Sequence, residues 1–137
     1  MSSLVTAQTD AYSIFQKSFK KIENAKTMQY YNIAKERING KYLKDKSLVK
    51  VNRSPFKVYL FQKKEKGSEI LYNSSINKNK AIINPRQFPF INLHLSPYGS
   101  IMRKNTHHTV FQADIIYTFN IINHAIKFVC NCCKFTI

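Results

Sequence analysis

Positive charge gathered into one stretch constrains this chain more than any other property. Residues 17–86 hold 18 of its 22 basic residues and 5 of its 7 acidic ones, a net of +13, while the first sixteen residues carry −1 and the last fifty-one +3. Like charges at that density repel one another in a compact state, so the surplus either serves a polyanionic partner or reflects nucleotide usage. Phe, Tyr, Met, Ile, Asn and Lys make up 68 of the 137 residues, Gly, Ala, Arg and Pro only 18, and Lys outnumbers Arg 18 to 4. A/T-rich codons therefore account for part of the lysine. They do not account for the shortage of Asp and Glu, whose codons tolerate either base in the third position.

The length fits one domain, and a chain of this size buries roughly two-thirds of its unfolded surface. At 44% apolar and 13% aromatic it is too hydrophobic for wholesale disorder. The first ten residues have neither a basic n-region nor a long apolar h-region, so no secretory signal is expected. No membrane span is expected either, because Asn120, Asn123, His124, Lys127 and Asn131 interrupt the most apolar stretch. All three cysteines fall within residues 130–133, which gives no disulfide framework. The expected location is intracellular, cytoplasmic or nuclear.

Thr9 or Asp10 can cap a helix, and Tyr12, Phe15, Phe19 and Ile22 recur at helical spacing before continuing into Tyr30 and Ile33. With Gly40 as a C-terminal stop, this predicts one long helix over residues 10–39, or two helices broken near Thr27. Lys17, Lys20, Lys21 and Lys35 fall largely off the apolar stripe, whereas Lys26 falls on it. Strands are expected over residues 47–51, 56–62, 69–73, 80–84 and 88–95, with residues 63–68 as a hairpin connection. From Asn105 onward charge nearly vanishes. Ile115, Phe119, Ile122, Ile126, Val129 and Cys133 fit a helix, but Ile115, Tyr117, Phe119 and Ile121 alternate as a strand would, and the richness in β-branched and aromatic residues favours strand. The expected fold class is α+β: a long N-terminal helix, or two helices, packed on a small antiparallel sheet. Its expected division is a basic domain over residues 1–104 and an apolar segment over residues 105–137, which either completes the sheet or is a non-native tail.

The stretch over residues 56–63 places Lys57, Tyr59, Phe61 and Lys63 on one face of a strand. Rings can stack on bases while ammonium groups meet phosphates, which suits nucleic acid. The competing reading is a two-sided strand with Tyr59 and Phe61 covered by the N-terminal helix. Lys63, Lys64 and Lys66 form a basic hairpin tip that is either a phosphate track or a solvated turn. Lys17, Lys20, Lys21 and Lys35 form a basic helix face, suited to a nucleic acid or to an anionic membrane surface. Cys130, Cys132 and Cys133 offer a single metal-binding knuckle, with His107, His108 and His124 as further ligands, and structural zinc usually needs two knuckles.

Gly-x-Ser-x-Gly, His-Glu-x-x-His and a Gly-rich phosphate loop are all missing from the sequence. The expectation is therefore a non-enzymatic binding protein without cofactor or small-molecule substrate. Its leading partner is a polyanion, RNA ahead of DNA, contacted without base readout through Lys17, Lys20, Lys21, Lys57, Tyr59, Lys63, Lys64 and Lys66. One alternative is a peripheral membrane or partner-helix protein acting through the N-terminal helix. Another is a truncated or frame-altered product without a selected function.

Overall fold

The computed structural model describes residues 3–63, 67–88, 90–103 and 108–132, with side chains between Ala11 and Val129. The chain is α+β: a helix α1 (Ser3–Asn24), six strands, then a helix α2 (Ile115–Cys132). The strands are β1 (Thr27–Ile38), β2 (Lys41–Arg53), β3 (Phe56–Gln62), β4 (Glu69–Asn73), β5 (Ala81–Asn84) and β6 (Leu93–Leu95). They form one antiparallel sheet in sequence order. The chain divides into two compact units, one of residues 1–25 and 115–137, the other of residues 26–114.

In the helical unit, Phe15 and Phe19 of α1 stack on Phe119 of α2, with ring centroids 5.5 and 6.3 Å apart. Gln16 donates from Nε2 to Oδ1 of Asn123 at 3.2 Å. Phe15 and Phe19 of the apolar stripe therefore find their partner in a second helix, which also settles the state of residues 115–132. The helical spacing from Ile115 to Val129 holds, and the alternation of Ile115, Tyr117, Phe119 and Ile121 forms no strand. At the other end of α1, Thr9 and Asp10 lie inside the helix, since a cap preference of about 1 kcal/mol does not stop a helix that Leu4, Val5 and Ala7 can extend.

The expected helix over residues 10–39 is corrected in its second half. It ends at Asn24, and residues 27–38 are strand. Asn39 (φ 51°) and Gly40 (φ 78°) both lie in the left-handed region and form the two-residue turn of a hairpin. Gly40 is thus a hairpin residue and not a helix stop. Tyr30 and Ile33 share a helical spacing, but on the strand they project to opposite faces, one toward the core and one toward solvent.

β3 and β4 have the bounds expected of them, while β2 is longer than residues 47–51 because the hairpin extends it. Of the stretch expected as a strand over residues 88–95, only Leu93–Leu95 pairs. Arg86 and Phe90 have positive φ, which breaks the extended run ahead of it.

The core of the sheet unit is Val49, Val51, Val58, Tyr72, Ala81 and Val110, packed with Tyr30, Phe56, Leu60, Ile70, Met102, Phe111 and Ala113. Val110–Ala113 form a short 3₁₀ turn against the inner face of the sheet. Phe111 meets Tyr72 edge-on at 4.9 Å and lies 5.3 Å from Tyr98. The turn opens with a capping box in which the Thr109 N–H donates to Gln112 Oε1 at 2.7 Å. Just beyond it, buried Asp114 accepts two hydrogen bonds from Arg53, at 2.6 and 2.7 Å. A two-pronged arginine–carboxylate contact fixes orientation as well as charge. The Tyr30 hydroxyl donates to the carbonyl of Ala113.

Candidate nucleic-acid interface

The register of β1, β2 and β3 runs without interruption, so alternation assigns every side chain to one of two faces. Met28, Tyr30, Val49, Val51, Val58 and Leu60 point toward the core. Lys35, Arg37, Lys44, Lys46, Lys50 and Lys57 point the other way. The acidic residues of these strands, Glu36 and Asp45, share the inward face with Lys41 and Arg53. The outward face of the three strands thus carries six positive charges, and the inward face nets zero.

Aromatic rings lie among these cations. Lys46 and Lys63 place their Nζ atoms 5.5 and 4.6 Å from the ring centroid of Tyr31. Lys50 lies 5.8 Å from Tyr59, Lys35 lies 4.7 Å from Tyr42, and the Arg86 guanidinium lies 5.3 Å from Phe61. Such pairs contribute about 0.5–1 kcal/mol each at exposed sites. Tyr31 is 56% exposed and Tyr42 66% exposed, whereas Tyr59 and Phe61 are half-buried. A shallow depression of about 400 Å³ opens on this face between Gln29, Lys50, Lys57, Tyr59 and Leu71. Burial pushes the Tyr59 hydroxyl above its ordinary pKa, and the charge and hydrogen bonding of Glu69 add to the rise.

Like charges also meet directly. Lys35 stands opposite Lys44 across the β1–β2 ladder. Opposed like charges in a sheet destabilise it, and a bound polyanion removes that cost.

The structure brings together Lys57, Tyr59 and Lys63 among the residues singled out from the sequence. Lys64 and Lys66 lie outside the described residues. Lys17, Lys20 and Lys21 are exposed on α1, in the helical unit. Tyr31, Lys35, Lys44, Lys46 and Lys50 were missed as strand-face residues. The Asn39–Gly40 pair was the signal for them, because it turns β1 back along β2. Cys133 and His107 lie outside the described residues, as do the side chains of Cys130 and Cys132. Among the described residues no group of three or more His, Cys, Asp or Glu side chains is placed to hold a metal ion, and no helix is long and apolar enough to cross a membrane.

Residues 27–130 match the family described as "Protein of unknown function (DUF1571)". The chain belongs to that family. The DUF1571 match takes in all six strands and most of α2, and it crosses the change of composition near Asn105 without a break. No curated protein and no solved structure matches the chain.

Proposed function

We propose that the chain is a non-enzymatic nucleic-acid-binding protein that takes a single strand, RNA ahead of DNA, on the outward face of β1, β2 and β3. The observation that carries this reading is the sorting of charge between the two faces, with Lys35, Arg37, Lys44, Lys46, Lys50 and Lys57 on one and both acids on the other. Nucleotide bias can raise the number of lysines, but it cannot sort them by strand parity. The physics is that of a stacking platform. Lysines meet phosphates, and Tyr31, Tyr42 and Tyr59 offer ring faces that any base can use.

Lys63 extends the basic surface beyond β3 in this reading, and Lys64 and Lys66, which follow it in sequence, are counted among the phosphate contacts. Lys17, Lys20 and Lys21 offer phosphate contacts of their own on α1, within the helical unit. Six or so such contacts give non-specific affinity on the order of 10⁻⁴ to 10⁻⁶ M at physiological salt.

The test is a salt titration of binding to fluorescently labelled single-stranded RNA. Wild-type affinity should fall with a log–log slope of about −4, near 0.7 per phosphate for six contacts. The Lys46→Ala, Lys50→Ala, Lys57→Ala triple variant should lose about 2 from that slope while its thermal melt still shows a cooperatively folded protein. Equal slopes for the two proteins, or no binding at low salt, would discard the reading.

A second reading, an anionic membrane surface, has one observation in its favour. α2 exposes Ile121, Phe128 and Val129 beside Lys127. Phe15 and Phe19 of α1 are engaged with Phe119 and do not contribute. Anionic vesicles in the same titration distinguish it, because a gain of helix on vesicles without RNA binding would favour the membrane.

A further inference from the structure

The β1–β2 hairpin is longer than the strand beside it. β3 pairs with Ser47–Arg53 of β2, so residues 34–45 continue past it as a two-stranded arm. Five residue pairs, from Ala34↔Asp45 to Ile38↔Lys41, make up this arm, a length of about 17 Å at 3.4 Å per residue. Its outward face holds Lys35, Arg37, Lys44 and Tyr42, and it ends in the tight Asn39–Gly40 turn.

We propose that this arm enters the major groove of a B-form DNA duplex. The inference rests on the reading of the outward face as a nucleic-acid surface, and it names the duplex form that the protein accepts. Two strands about 4.8 Å apart, with their side chains, fit a groove about 12 Å wide. The deep, narrow major groove of A-form RNA does not admit them. Lys35 and Lys44 face each other across the ladder, so both approach the groove side by side, and groove phosphates relieve their mutual repulsion.

The experiment compares three labelled probes of equal length at one salt concentration: single-stranded RNA, duplex DNA and duplex RNA. Wild-type protein should bind duplex DNA at least tenfold more tightly than duplex RNA. The Lys35→Ala, Lys44→Ala variant should lose that preference, while its single-strand binding weakens only as the removal of two of six phosphate contacts implies, a loss of about 1.4 from the salt slope. Its thermal melt should show an intact fold, since the change removes a repulsive pair. Lys35→Gln, Lys44→Gln serves as a second variant. Guanine N7, which faces the major groove, should be protected from dimethyl sulfate by the wild type and not by either variant.

Equal binding of the two duplexes, unprotected N7, or an unchanged preference in the variants would overturn the inference. If single-stranded RNA is still bound in that case, only the arm's role falls. If no probe is bound, the nucleic-acid reading falls with it.

Discussion

Tyr30 joins β1 to the segment that crosses the core. Its hydroxyl donates to the Ala113 carbonyl, next to the Arg53–Asp114 pair. Burial first, and then the negative charge of Asp114, push the Tyr30 hydroxyl from about 10 up to about 12, with Arg53 opposing the rise. The folded protein thus holds this proton more tightly than the unfolded chain does. The stabilisation is complete below pH 10 and is lost as pH climbs from 10 to 12, because the unfolded state releases its proton first. Urea melts at pH 9, 10, 11 and 12 should show wild-type stability falling more steeply across that window than Tyr30→Phe, which carries only a constant offset. Parallel curves for the two proteins would remove Tyr30 from this role.

The β1–β2 hairpin shows at the level of the element what local sequence reveals and what it hides. Residues 56–62 and 69–73 were legible as strands because short alternation and turn residues agreed. Residues 27–38 were not, because Tyr30 and Ile33 fit both periods and the preceding α1 stripe led into them. The Asn–Gly pair, which requires positive φ at both positions, decides between the two. Gly40→Ala places a Cβ where nothing lies within 4 Å, so its cost is backbone strain alone. It should lower stability by about 1 kcal/mol, read as a lower urea midpoint with an unchanged slope. A variant as stable as the wild type would mean that the turn relaxes without penalty. α2 was ambiguous for a different reason. Its helical state rests on Phe119 meeting Phe15 and Phe19 of a distant segment, a contact that periodicity within one stretch does not encode.

For the whole molecule, the excess charge was plain in the sequence and its arrangement was not. Lys57, Tyr59 and Lys63 were recognisable because one short stretch of sequence holds them. Lys35, Lys44, Lys46 and Lys50 join them only through the register of three strands. A surface with this surplus also carries its own repulsion, so moderate salt should stabilise the free protein by screening it. The melting temperature should rise by several degrees between 20 and 300 mM NaCl, as a gain of about 1 kcal/mol implies for a domain of this size. A flat or falling melting temperature would show that the lysines are already neutralised within the fold.

The pairing of α1 with α2 bears on how the chain is made. A ribosome producing about 5–20 residues per second takes roughly 5–20 s to deliver residues 25–114 before the first turn of α2 emerges. Through that interval Phe15 and Phe19 have no Phe119 to stack on, while the sheet, each strand paired with its neighbour in sequence, can assemble hairpin by hairpin as it leaves the exit tunnel. The nascent protein therefore passes through a stage with a finished sheet and a bare aromatic helix.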